Sequence, residues 1–251
     1  MGQLGDQLET QIQRLIQRDE QRSSSATVLP FTTQTPPRVD VPEIALHRGW
    51  SEGHLVEYAL RARRLWELQD AARVPRSELY RRFSWATWKG VRRPDLLAWP
   101  GIEGGSDGDL PPWAVVAFGP PGTGKTHIAT AIFHDLLCRG WTGKWFEVAE
   151  ALEEVKLEFG DEERDGRTMK LLREAPLLLL DDLGAERQSD FALERISLVL
   201  RHRYSRQMPT IITTNHDSLT ALDDIDRRLS SRLGGREALQ INFAGRKDWR
   251  L

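Results

Sequence analysis

Cysteine is almost absent: Cys138 is the single one in 251 residues. One thiol forms no disulfide within its own chain and assembles no cysteine-based zinc site. Placed within a helical stretch, it is expected to act as a small buried hydrophobe. Long apolar runs are missing as well. None reaches transmembrane length, and the polar, Gln-rich N-terminus does not resemble a secretory signal, so a cytoplasmic location is expected. Neither sign of charge dominates: 35 Lys and Arg stand against 37 Asp and Glu, a formal net charge of −2. Bulk charge therefore points to no nucleic-acid or membrane partner. There is no internal repeat. What remains is a soluble globular chain, long enough for one α/β domain and an appendage.

The distribution of charge says more than its sum. Between Arg61 and Arg93, ten basic residues face three acids. Tyr80, Phe83, Trp85 and Trp88 interleave with arginines there. N-terminal to this, Leu4, Leu8, Ile12, Leu15 and Ile16 recur at helical spacing, predicting a helix over 4–22. Residues 23–48 form a linker, Ser/Thr/Pro-rich as far as Pro42. A short helix cut off from a core either docks back on the body or serves another protein as a handle. A second helical region spans 51–72, within a helical and basic-aromatic segment, 49–100, that leads into the catalytic domain, 101–251. GIEGGSDGDLPP, 101–112, reads as a flexible loop.

From Trp113 the pattern becomes strands alternating with helices. Strands are expected at Ala114–Phe118, Lys144–Val148, Leu177–Asp181, Thr210–Asn215 and Ala238–Phe243. Helices are expected over 125–139, 149–159, 191–206 and 225–233, with a helix-rich insert between the second and third strands. Continuous apolar strands joined by crossover helices predict a five-stranded parallel sheet covered on both faces, a three-layer α/β/α fold.

GPPGTGKT, Gly119–Thr126, follows the first strand and opens a helix, which satisfies G-x-x-x-x-G-K-[ST] in the required context. Glycines let the backbone wrap an anion, and successive N–H groups aim at phosphates. Lys125 then reaches the β- and γ-phosphates, and Thr126 offers its hydroxyl to Mg²⁺. An ordinary Gly-rich turn is the alternative. In LLLLDDLGAE, four leucines run into Asp181 and Asp182. Carboxylates at the end of a buried strand need a cation. Parallel strands end on one edge, so Asp181 should lie beside the phosphate loop and face Mg²⁺ carried by a nucleotide, directly or through a water. Asp182 is expected to point elsewhere and position a water against the γ-phosphate. Many such ATPases have Glu there, and the shorter Asp predicts slow hydrolysis; helix capping or a surface pair is the other reading.

These motifs resemble the AAA+ ATPases, and more narrowly the DnaC/DnaI-like helicase loaders and the IstB-like transposition ATPases. The likeness rests on ARVPRSELYRRFSWATW, GPPGTGKTHIA, LLLLDDLGAE, LVLRHRYSRQMPTIITTNH, RRLSSRL and GRKDWR, in that order, and covers 73–250. It implies nucleotide contacts from Gly119, Pro120, Pro121, Gly122, Thr123, Gly124, Lys125, Thr126 and His127. It implies a sensor role for Asn215, which a plain turn Asn would also fit. It implies an arginine finger acting in trans at Arg232, with Arg227 and Arg228 as neighbours; a solvated basic helix is the alternative. Two departures stand out. Eight residues after Phe243 leave no room for a full C-terminal lid, so Arg250 takes only a sensor-2-like part, and the cysteines of a zinc-binding adaptor are missing.

By this resemblance the protein is an oligomeric ATP-dependent loader of a replicative hexameric helicase on single-stranded DNA, docking through its N-terminal region. DNA contact is expected from Lys156, Arg164, Arg167, Lys170 and Arg173, or from the basic-aromatic segment 76–93, where Trp85 and Trp88 also read as packing residues. An IstB-like transposition helper is the alternative within the same chemistry. A small-molecule phosphotransferase and a nucleotide-gated binding protein are alternatives of other classes.

Overall fold

The computed structural model describes residues 67–75, 99, 112–139, 141–158, 166–184, 190–246 and 248. The predicted N-terminal helix and linker, the basic-aromatic segment 76–93, Arg164 and Arg250 lie outside the described residues. The chain divides into two units, Met1–Leu68 and Gln69–Leu251. All elements named below belong to the second.

Five strands and five helices are described: β1 Ala114–Phe118, α1 Lys125–Cys138, β2 Gly143–Glu147, α2 Val148–Glu158, α3 Arg167–Glu174, β3 Leu177–Leu183, α4 Asp190–Ser205, β4 Thr210–Thr214, α5 Asp223–Gly234 and β5 Ala238–Asn242. A short 3₁₀ turn, Leu219–Leu222, precedes α5. The strands form one sheet in the order β2-β3-β4-β1-β5, every pairing parallel. The fold is the P-loop three-layer architecture that the alternating pattern predicts.

The central strands β1 and β4 are buried along their whole length, and Leu177–Leu180 are fully buried. Strands covered on both faces have no solvent side, which is why β1 and Leu177–Leu180 read as unbroken apolar runs, while β4 carries buried threonines. One face packs against α2–α5, through residues such as Val116, Leu180, Leu152, Ile196 and Leu229. On the other, Phe133 of α1 lies against Gly143, where an added Cβ would come within 2.9 Å of the ring. Residues 69–75 close the outer edge of β2: Trp145 N donates to Ala72 O at 2.7 Å, and Gln69 reaches His134 of α1 at 3.2 Å.

Three local features depart from expectation. β3 runs two residues past Asp181, with a register shift against β4 between Leu180 and Leu183. Cys138 is exposed, because it ends α1 where the helix leaves the sheet. α5 is kinked at Asp226 (φ −166°, ψ 111°). The buried Asp226 carboxylate accepts from the N–H of Arg228 and Leu229 and so caps the arginine-bearing part of the helix. It also accepts from Ser197 and Arg201 of α4, and these donors hold it below the usual carboxylate range despite its desolvation.

Arg203 of α4 is fully buried at the opposite edge of the sheet from the phosphate loop. Its guanidinium donates to Thr210 Oγ1 (2.8 Å), Ala175 O (2.7 Å) and Pro209 O (2.8 Å), with longer bonds to Leu172 O and Arg173 O. One side chain thus ties the end of α3 to the starts of β3 and β4.

Candidate functional site

The phosphate loop leaves β1 at Gly119 and enters α1 at Lys125. Gly119, Gly122 and Gly124 have φ of +132°, +74° and +97°, which only glycine adopts without strain. Space matters too. A Cβ on Gly119 would sit 2.9 Å from the Phe243 carbonyl carbon. Within the loop, Thr123 Oγ1 and Lys125 Nζ both donate to Pro120 O, at 2.8 and 2.7 Å. Lys125 is buried, and His127 is partly exposed in the first turn of α1.

The twin acids join this loop as their position at the strand end predicts. Asp181 is buried, and its Oδ1 accepts from Thr126 Oγ1 at 3.0 Å and from Thr213 Oγ1 at 2.6 Å. Burial pushes its pKa up to about 6, although the two hydroxyls favour the ionised form; Asp182 and Glu147 add to the rise. Asp182 lies just beyond, with φ +60°. That left-handed residue, within the register shift, turns the second carboxylate away from the first. Asp182 N donates to Thr213 Oγ1 at 2.9 Å, and Asn215 Nδ2 donates to Asp182 Oδ1. Asn215, predicted from the end of β4, therefore meets the second acid, and Thr213 touches both.

Sequence reasoning passed over Thr213 and Glu147. Thr213 stands two residues before Asn215 in TIITTN, and alternation along a strand was the signal that could have placed both on the site's side. Glu147 is paired in register with Asp181, and burial, with Glu150 and Asp182 nearby, raises its carboxyl pKa. Gly184 closes the segment at φ +91°; a Cβ there would lie 2.4 Å from His216 Nε2.

Thr126 and Asp181 supply two adjacent hard oxygen donors, one of them a carboxylate that its surroundings leave short of positive charge. Mg²⁺ takes one or two protein oxygens and completes its shell with phosphate and water, so these residues fit it. Among the described residues no cluster of three or more His, Cys, Asp or Glu would hold a metal by itself.

The arginines of RRLSSRL do not join this site within the chain. Arg227 and Arg228 are exposed on α5. The Arg232 guanidinium lies 3.7 Å from the Tyr204 ring centroid, and its Nε is 3.9 Å from Glu237. Tyr204 OH in turn donates to Glu237 at 3.2 Å. Glu237 precedes β5, whose first residue, Ala238, pairs with Ala114, the first residue of β1. Arg232 thus sits at the starting edge of the sheet, a strand length of about 13 Å from the edge that carries the loop. In the insert, Arg167 and Lys170 are exposed on α3, Lys156 pairs with Glu153 at 2.7 Å, and Arg173 reaches His202.

Residues 113–225 match the model of the IstB-like ATP binding protein family. The resemblance to the IstB-like and DnaC/DnaI-like AAA+ ATPases that the motifs carry is borne out over this stretch. The replicative helicase loader DnaI of Bacillus subtilis (strain 168) is 31% identical over 99 residues, which cover 39% of this chain and 32% of DnaI. The replicative helicase loader DnaC of Escherichia coli (strain K12) is 29% identical over 126 residues, covering 50% of this chain and 51% of DnaC. A crystal structure of the DnaC helicase loader aligns at 32% identity and a TM-score of 0.44, over 51% of this chain and 78% of that one. The matched stretch spans about a third to a half of the length of these curated relatives. The family core is an ATP-binding one, and its phosphate loop and twin acids are the parts described above. Among the described residues no helix is long and apolar enough to cross a membrane.

Proposed function

We propose that the protein is an ATP-hydrolysing loader of a ring-shaped replicative helicase, working as an oligomer on single-stranded DNA. The observation that carries this reading is the assembly of Thr126, Asp181, Thr213, Asp182 and Asn215 on the edge of the sheet that bears the phosphate loop. The curated relatives named as replicative helicase loaders support the choice of task.

Loop N–H groups and Lys125 hold the triphosphate and offset its charge. Thr126 and Asp181 would hold Mg²⁺, which supplies positive charge against the phosphates. Asp182, oriented by Asn215, accepts a proton from the attacking water. Arg232 of a neighbouring copy stabilises charge on the transferred phosphoryl group, since this chain's own Arg232 is at the far edge of the sheet. A site completed by a second copy couples hydrolysis to assembly, and nucleotide then favours the oligomer it binds best. The exposed Arg167 and Lys170 of α3 follow the backbone of single-stranded DNA, and the N-terminal region docks the helicase.

Arg232→Ala is expected to keep ATP binding and lose DNA-stimulated hydrolysis. Lys125→Ala is expected to lose nucleotide binding. Mixed, the two proteins should regain part of the hydrolysis, each supplying what the other lacks. No recovery at any mixing ratio refutes action in trans. Deleting residues 1–42 should spare ATP binding, measured by calorimetry, and remove capture of a hexameric replicative helicase. Full retention of helicase affinity refutes the docking role.

The IstB-like family match favours a second reading, a helper ATPase for transposition. That protein would show DNA-stimulated hydrolysis that responds to a transposase and is indifferent to a helicase.

A further inference from the structure

The chain beyond β5 does not leave the site. Phe243 N donates to Phe118 O at 2.8 Å, just before the phosphate loop begins. Gly119 then packs against the backbone of Phe243 and Ala244. The chain turns there, with Arg246 N donating to Phe243 O at 3.1 Å and the Arg246 guanidinium 4.9 Å from the Phe243 ring centroid. Three residues after Gly119 the contact recurs with a different chemistry. A Cβ on Gly122 would meet Asp248 Oδ1, Cγ and Oδ2 at 2.1, 2.2 and 2.3 Å. The whole carboxylate of Asp248 is thus seated on the α-carbon of a loop glycine. Any side chain at position 122 would evict it.

We infer that Asp248 is an electrostatic competitor of the nucleotide: its carboxylate opposes the phosphates on the loop, so that loading triphosphate displaces Asp248 from Gly122. This rests on the reading of Gly119–Thr126 as an ATP site. The loop's amides favour negative charge, and Asp248 places one such charge on the α-carbon of a loop residue. Phosphates bring several more to the same few ångströms. At that separation like charges repel, and the repulsion grows with the charge of the ligand. ATP is therefore disfavoured more than ADP, and Asp248 holds a different position when the loop is loaded than when it is not. By reciprocity, whatever draws Asp248 away from the loop tightens nucleotide binding by the same factor.

Calorimetry of MgATP and MgADP binding to the full chain and to Asp248→Asn tests this. The neutral isostere is expected to bind MgATP about tenfold more tightly and MgADP about threefold more tightly, because one of the opposing charges is gone. The difference between the two proteins should shrink as salt is raised from 0.05 to about 0.5 M, since screening acts on the charge alone. Asp248→Glu, which keeps the charge, should stay within a few-fold of the unaltered protein. Equal affinities of the unaltered protein and Asp248→Asn, or weaker binding by Asp248→Asn, overturn the inference and leave the ATP site standing. Uptake of neither nucleotide by any of the three overturns the ATP site and this inference with it.

Discussion

Asp181→Asn is expected to produce a protein that melts higher than the unaltered one yet hydrolyses ATP at least about a hundredfold more slowly, the scale of losing a group that stabilises charge in a transition state. The two effects have one cause. Asp181 is buried, and desolvation raises its pKa from 3.8 to about 6. A group raised in the folded state favours folding most when protonated. Its contribution is fully present below about pH 4 and is lost as pH rises through 6. Above that, the ionised carboxylate costs about 2–3 kcal/mol, the free-energy equivalent of a shift of that size. Asparagine keeps an oxygen for Thr126 and Thr213 and carries no charge. In the absence of divalent cation at pH 7.5 the variant should therefore melt about 5 °C higher, at the 2–4 °C per kcal/mol usual for this size. Below pH 4 the gap should close. Magnesium should stabilise the unaltered protein and leave the variant unmoved. A variant that melts lower at pH 7.5 contradicts the assignment of a desolvated carboxylate.

The second large effect is structural. Arg203→Met should lower stability by about 3 kcal/mol, because buried carbonyls stripped of a donor keep their full desolvation cost. The carbonyls of Ala175 and Pro209 and the Thr210 hydroxyl would each lose a short bond. Methionine fills much of the volume, so the loss reads on hydrogen bonding more than on packing. Arg203→Lys should recover little. An ammonium has three donors on a flexible stem and cannot span the fork that the planar guanidinium fits. The urea midpoint is the measurement, and an unchanged midpoint in Arg203→Met would show that the bonds contribute nothing net.

Arg203 also shows where sequence reading stopped. In LVLRHRYSRQMP it is one of three arginines, and nothing local separates it from its exposed neighbours Arg201 and Arg206. Its burial follows from where α3 and β4 come to rest, which is long-range information. The strands were legible for the opposite reason: β1 and the start of β3 are continuous apolar runs, and the β-branched and aromatic residues of the other three carry strand preference locally. The phosphate loop was legible because fixed spacing carries it. The left-handed backbone at Asp182 was not, since Asp tolerates that region without requiring it. Asn215 was found and Thr213 missed because the resemblance names a sensor and says nothing of the hydroxyl that joins it to the acids. Asp226 was hidden among the other acids of DDIDRR, where only tertiary contact picks out the one that caps. Asp248 was hidden because its partner, Gly122, is 126 positions away and has no side chain to advertise a contact.

Thr213 belongs to β4, yet both acids of β3 hang from its single oxygen: it gives its proton to one and takes a bond from the backbone of the other. The residue two places on, Asn215, grips the second acid again. β4 is therefore a lever with two fingers on the chemistry. Sliding it along its axis by a fraction of an ångström would loosen the cation-facing acid and misalign the water-facing one in the same stroke. Its C-terminal end leads, through residues 215–218, into the 3₁₀ turn and α5, the helix that carries the arginines. A push delivered to that helix by an adjoining molecule is therefore one short connection away from both acids.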